Sequence, residues 1–171
     1  TIEGTVTNAN GVGGLAYQSI GTGLTLSNIT MQKTFNNNSD YIGGVLAKAE
    51  GTDSVPFEVV AEQIKLMNEI NAGSVKTSSG FITMLSKANV TMSDITLGGS
   101  FYCTSTEEYG GFLGHEWTKM GGTVENVVVA PGTTYQADGR FGCLLGRLET
   151  ALGKRLTLKD VDLANLTVGP A

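Results

Sequence analysis

The sequence predicts an all-β protein, a right-handed parallel β-helix (β-solenoid) of about five coils with a period near 32 residues. Three observations predict this fold: a motif of alternating aliphatic residues occurs five times, a Gly-rich phrase recurs with the same spacing, and the composition is rich in glycine and poor in charge. A unit repeated every few tens of residues is typical of a stacked solenoid. The right hand is expected from the general preference of parallel crossover connections.

The aliphatic motif has a polar residue at its centre, with two aliphatic residues two and four positions before it and two more one and three positions after it. In the third copy the motif consists of Val90, Met92, Asp94, Ile95 and Leu97. The alternation predicts half-buried strands, and the change of phase at the polar residue predicts a corner, because Asn and Asp tolerate left-handed backbone. The five central residues, separated by 35, 31, 32 and 34 positions, are Asn28, Gln63, Asp94, Asn126 and Asp160.

The Gly-rich phrase supplies a second marker with the same period. One of its positions is glycine in four copies and cysteine in the fifth, with separations of 30, 36, 31 and 32 residues: Gly14, Gly44, Gly80, Gly111 and Cys143. Two markers with one period indicate one structural unit, so each coil is expected to contain three short strands, about 4.8 Å from those of the next coil. Cys143 is expected to be a small buried residue, and its bonding to Cys103 stays open.

The segment 57–72 fits two kinds of structure. Its apolar residues at helical spacing are Phe57, Val60, Ala61, Ile64 and Met67. Its residues that fall on the repeat template are Val59, Ala61, Ile64 and Leu66. The template favours a strand, and a short helix remains the alternative.

Length and charge narrow the classes of function. The 171 residues suit one domain, and the formal net charge of −5, with 11 scattered Lys and Arg, argues against a nucleic-acid surface, which needs clustered basic residues. No apolar run in these residues is long enough for a membrane span, and no signal peptide is expected within them.

The chain begins at Thr1, inside an apparent partial repeat at Ile2 to Asn8. Residues 1–171 are therefore expected to form a single β-helix domain excised from a longer repetitive chain. Because solenoids need their end coils covered, flanking repeats or domains of the same chain are the expected partners.

The phrases YGGFLGHEW, IGGVLA, VGGLAY and FGCLLG, followed by segments such as LTLSNITM and TVENVVV, resemble the Gly-Gly-rich repeats of large bacterial cell-surface proteins and adhesin β-helices. The resemblance covers nearly the whole chain. It implies an extracellular, wall-attached or surface-attached segment with a structural or adhesive role and no catalysis, and it supplies no catalytic residue. A host glycan or protein would be its binding partner, and no cofactor or metal is expected.

Candidate binding residues lie in the variable gaps between the repeated motifs. Trp117 and Tyr135 are aromatic residues expected to be exposed there, where they could stack on a sugar or fill a protein pocket, whereas Tyr109 belongs to the Gly-rich phrase and is expected in the core. The single histidine, His115, lacks the partners that a zinc site or a catalytic triad requires.

The alternative function is a carbohydrate-active β-helix enzyme, similar to a polysaccharide lyase or glycosidase. Asp138 and Arg140 precede the fifth coil, and Glu107 and Glu108 precede the fourth, so these side chains are expected to stack on one side. Carboxylates held beside a basic group on one face can perform acid and base catalysis. Asp138 and Arg140 are therefore candidate binding residues as well.

Overall fold

The computed structural model describes residues 1–7, 11–36, 40–116, 121–148 and 153–171, with only the backbone described at 105–106 and 115–116. Within these ranges every regular secondary-structure element is a β-strand. The strands β1 to β18 are, in chain order, Ile2–Thr7, Val12–Gly13, Ala16–Ile20, Gly23–Asn36, Tyr41–Gly43, Leu46–Glu50, Phe57–Leu66, Glu69–Ala72, Val75–Ser79, Ile82–Ser86, Ala88–Leu97, Ser100–Gly110, Leu113–Glu116, Gly121–Val129, Thr133–Gly142, Leu145–Arg147, Leu156–Asp162 and Leu166–Gly169.

Fifteen of the eighteen described strands form three walls that run along the stack, and the pairs within them are parallel. The other three strands also pair in parallel: β1 with β4, β8 with β4 and β12, and β18 with β15. The first wall contains β4, β7, β11, β14 and β17. The second contains β2, β5, β9, β12 and β15, and the third contains β3, β6, β10, β13 and β16. Successive members of a wall are one repeat apart. The protein is thus a β-solenoid of about five turns with a spacing near 32 residues, which confirms the predicted fold class.

Each strand of the first wall bends at the predicted corner. The central polar residue of all five motifs has left-handed backbone, with φ between 51° and 57°: Asn28, Gln63, Asp94, Asn126 and Asp160. Register partners stand on both sides of the bend, since Ser93 pairs with Glu125 and Ile95 pairs with Val127. The corner prediction is confirmed at every copy.

Equivalent aliphatic residues stack directly over one another inside the tube. One such row is, from the first to the fifth coil, Leu26, Ala61, Met92, Val124 and Leu158. The first four are buried, whereas Leu158 in β17 is 46% exposed. The segment 57–72 forms β7 and β8, so the strand prediction is confirmed and the helical alternative is wrong.

Two apolar clusters fill the interior. The larger one contains stacked rings of Phe81 and Phe112, whose centroids are 4.9 Å apart. In the smaller one Tyr109 stacks on Phe101 at 3.7 Å and on Phe141 at 5.8 Å. The expectation that Tyr109 belongs to the core is confirmed.

Candidate functional site

The second and third walls meet at a sharp bend, called here the crease, which is centred on the repeated glycine position. A Cβ atom on Gly14, Gly44 or Gly80 would collide with the carbonyl oxygen of the equivalent residue in the next coil. The same holds for Gly111 against the carbonyl oxygen of Cys143. Glycine is required at this position because any side chain would prevent the backbones of successive coils from approaching so closely.

Cys143 occupies this position in the last coil of the described stack. No carbonyl group of a further described coil stands opposite it, so a side chain fits. Cys143 is half-buried, and the expectation of a buried residue is corrected accordingly. Cys103 is fully buried in β12, and neither cysteine forms a disulfide, which resolves the open question of their bonding.

Two rows of side chains flank the crease. The row on the second wall lies three positions before the glycine position and consists of Tyr41, Thr77, Glu108 and Arg140. The row on the third wall lies four positions after it and consists of Gln18, Lys48, Met84, His115 and Arg147. The side chain of His115 is outside the described part of the structure.

The two rows line a groove, called here the crease groove, made of two adjoining cavities of about 220 and 210 Å³ that share Met84. The residues that line it are Gln18, Tyr41, Lys48, Ala49, Glu50, Lys76, Thr77, Met84, Ser86, Glu107, Glu108, Arg140 and Arg147.

Glu108 is the buried charge of the groove. Its side chain is 6% exposed, and its Oε1 accepts a hydrogen bond from Nη1 of Arg147 at 3.4 Å and lies 3.6 Å from Nη1 of Arg140. Arg147 reaches it from β16 across the crease, and Arg140 from β15 one coil later. Because a buried carboxylate is costly unless it is paired, the two arginines stabilise it. The three side chains together carry one net positive charge.

Further cations lie along the same groove. Nζ of Lys48 lies 4.3 Å from the ring centroid of Tyr41 and 5.6 Å from that of Tyr17, which are distances for cation–π attraction. Nζ of Lys76 donates a hydrogen bond to Oδ2 of Asp40 at 3.1 Å. This hydrogen bond and the charge of Asp40 raise the pKa of Lys76.

The structure brings together part of the charged set that the sequence suggested. Arg140 lies beside Glu108, and Glu107 lines the same groove, so these three residues share one side as expected. Asp138 is exposed and does not belong to the described lining; its Oδ1 accepts a hydrogen bond from the backbone N–H of Ala171 at 3.4 Å. Trp117 lies outside the described residues.

Tyr135 is not an exposed binding residue, and that expectation is wrong. Its side chain is 3% exposed because Tyr135 is the register partner of the inward-facing Phe101. The ring makes edge contacts with Tyr109 at 5.3 Å and with Phe141 at 6.3 Å. Burial raises the pKa of Tyr135 to about 12 and that of Tyr109 well above its ordinary value.

Sequence reasoning missed most of the groove, including Tyr41, Lys48, Lys76 and Arg147. A usable signal was present, because the two flanking rows stand at fixed offsets of three before and four after each repeated glycine position. Aligning the copies on that glycine position would have placed Tyr41, Lys48 and Arg147 beside Glu108 and Arg140.

In the described ranges, no three His, Cys, Asp or Glu side chains are grouped as a metal site would require. The same residues include no helix with the length and apolar character needed to cross a membrane. Comparison of the chain with protein-family models, with curated proteins and with solved structures gives no match.

Proposed function

We propose that this chain is a non-catalytic structural or adhesive segment of an exported bacterial surface protein, located outside the cell and attached to the wall or surface. The observation that carries the proposal is the uninterrupted register of the first wall, in which Leu24, Val59, Val90, Gly122 and Leu156 stack across five coils. A continuous ladder of this kind is a stiff rod whose length grows by about 4.8 Å with each added coil.

The charge arrangement in the groove supports a role without catalysis. Hydrolysis of glycosides by two carboxyl groups needs both of them directed at the substrate. The carboxylate of Glu108 is instead buried against Arg140 and Arg147. The groove therefore contains a cluster of paired charges, which suits ligand binding better than proton transfer.

The proposal includes flanking repeats of the same chain as partners. Leu158 occupies an inward slot and is 46% exposed, whereas its register partner Val124 is fully buried. A further coil of the same kind, stacked on β17, would cover this aliphatic row as the fifth coil covers the fourth.

Labelling of intact cells tests the surface location. An antibody raised against the purified domain is applied to living cells of the organism that produces the chain, and to the same cells after lysis. Equal labelling before and after lysis supports the proposal. Labelling that appears only after lysis, with an antibody against a known surface protein as the positive control, contradicts it.

A polysaccharide lyase or glycosidase-like activity is the second candidate, and the placement of Glu107, Glu108 and Arg140 in one groove favours it. The test is the release of new chain ends from uronate polymers and glycosaminoglycans by the purified protein. Turnover that disappears in Glu108→Gln would establish the enzyme. Absence of products from every polymer would remove it in favour of the first candidate.

A further inference from the structure

We propose that the crease groove binds a linear polysaccharide bearing carboxylate or sulfate groups, with Arg140 and Arg147 as the anion-binding residues. The inference rests on the adhesive part of the proposed function and names the chemistry of its ligand. The groove runs along the stack, since its third-wall row continues from Gln18 through Lys48 and Met84 to Arg147. Four coil spacings correspond to roughly 19 Å, a length that suits several units of an extended polymer.

Positive charge in the groove is concentrated in its guanidinium groups. The whole chain has a net charge of −5, with 11 Lys and Arg in total. Four of these cations line the groove, against Glu50, Glu107 and Glu108, and Asp40 pairs with one of them, Lys76, so the described charges along the groove balance. An anionic chain is therefore attracted to the exposed guanidinium groups of Arg140 and Arg147 rather than to a general positive field.

The two guanidinium groups are held in place before any ligand arrives. Glu108 fixes Arg140 and Arg147 through one carboxylate oxygen, while the two arginine side chains are 73% and 46% exposed. Arg binds carboxylate and sulfate-like oxygens with paired N–H donors, and ordering the side chain in advance lowers the cost of binding. Glu108 is thus a positioning residue for the two arginines.

The lining suits a sugar chain better than a peptide. Among the described lining residues the apolar side chains are Ala49 and Met84, so this part of the groove offers none of the apolar pockets that usually bind peptides. The wall strands β9 and β10 beside the groove have paired neighbours on both sides, which leaves no open edge there for an added strand. Exposed polar lining groups such as Gln18 can bond sugar hydroxyls.

Isothermal titration calorimetry on the purified folded protein tests the proposal with four probes. Hexagalacturonate carries carboxylates, a heparin hexasaccharide carries sulfates, cellohexaose is a neutral control, and oligoglutamate represents an acidic peptide. We expect one or both anionic oligosaccharides to bind, with affinity that falls as salt is raised, and the neutral one not to bind. Comparing the affinity for hexagalacturonate with that for the heparin hexasaccharide decides whether the groove prefers carboxylate or sulfate groups.

The variant Arg140→Gln/Arg147→Gln should weaken that binding by at least about tenfold, because it removes charge-assisted hydrogen bonds. The matched control Lys65→Gln/Lys159→Gln removes the same charge from the first wall and should leave affinity within about twofold. Glu108→Gln should weaken binding while thermal unfolding shows a folded protein, because the arginines lose their anchor.

Three outcomes overturn the inference. Oligoglutamate bound as tightly as the sugars, with the same dependence on the arginines, would identify an acidic peptide as the ligand class. An equal loss of affinity in Arg140→Gln/Arg147→Gln and in Lys65→Gln/Lys159→Gln would show that the probes are attracted nonspecifically by positive charge. No binding of any probe to the folded protein would remove the groove as a site, while labelling of intact cells would still decide the surface location separately.

Discussion

The α-carbon of Gly44 lies so close to the carbonyl oxygen of Gly80, its equivalent one coil later, that no side-chain atom fits between them. The amide of Asn68 closes the same space, and its Nδ2 donates to the Gly80 carbonyl at 3.4 Å. This contact sets the sharpness of the crease. The crease in turn brings Glu108 on the second wall within reach of Arg147 on the third.

The variant Gly44→Ala should therefore be strongly destabilising. Its methyl group meets backbone of the next coil, which is fixed by ladder hydrogen bonds and cannot rotate away as a side chain would. We expect the free energy of unfolding to fall by about 3 kcal/mol, measured by urea denaturation followed by circular dichroism.

Gly169→Ala is the matched control, since nothing lies within 4 Å of a Cβ atom built on Gly169. It should change the free energy of unfolding by less than about 0.5 kcal/mol. Comparable stability of the Gly44 and Gly169 variants would show that the coils can separate at the crease without cost.

The corner at Gln63 is the least favourable of the five. Gln63 has φ of 56°, a backbone conformation that Asn adopts more readily because its short side chain can bond the local backbone. We expect Gln63→Asn to raise the free energy of unfolding by about 0.5 kcal/mol.

Gln32→Asn provides the control for this change, since Gln32 is exposed within β4 and is not among the residues with positive φ. There Asn is a poorer strand residue than Gln, so the variant should be neutral or slightly destabilised. A gain of stability at Gln32 equal to that at Gln63 would mean that the corner conformation is not the cause.

Stability should fall in strong alkali because of the buried tyrosines. Above pH 10 the unfolded chain loses its phenolic protons, whereas Tyr135 keeps its proton up to about pH 12 when folded, and Tyr109 also keeps its proton. The unfolded state then binds fewer protons, so the free energy of unfolding decreases by about 1.4 kcal/mol per pH unit for each such tyrosine. Below pH 10 this contribution is fully present and constant.

Urea denaturation at several pH values between 8 and 11 measures this slope. Tyr135→Phe removes one of the two contributions and should make the decline above pH 10 shallower. It should cost about 1 kcal/mol at neutral pH, because the hydrogen bond between the hydroxyl groups of Tyr135 and Tyr109 is lost. An unchanged slope in Tyr135→Phe would show that Tyr135 is not protected in the folded state.

The repeating parts of this fold were readable from the sequence because their cause is local. Asp94 and its four equivalents are needed where the backbone turns left-handed, and Gly80 is needed where two backbones touch, so the same residue types recur at the same spacing. The corner is present at every copy, and the glycine position departs from its pattern at Cys143, where no further described coil stands opposite.

The variable gaps were not readable in the same way. Between Cys103 and Glu108 the register of β12 against β15 shifts twice, so counting residues from the motif does not tell which side chains face inward. Tyr135 was misplaced because it stands nine residues after the corner at Asn126, whereas its register partner Phe101 stands seven residues after the corner at Asp94. The groove depends on two strands meeting across the crease, so Lys48 and Arg147 could be assigned to it only by aligning the copies on the glycine position and not by counting along one coil.

Both the rod and the groove depend on the coils being stacked in register, and disulfide trapping measures this most directly. In a background with Cys103→Ala and Cys143→Ala, Thr91→Cys/Thr123→Cys places thiols on register partners about 4.8 Å apart, within the range of a disulfide. Thr25→Cys/Thr91→Cys places them two coils apart, at roughly 9.6 Å, outside that range. We predict rapid oxidative cross-linking in the first pair, with a folded product, and none in the second. Cross-linking of the second pair, or failure of the first in folded protein, would contradict the stacked arrangement.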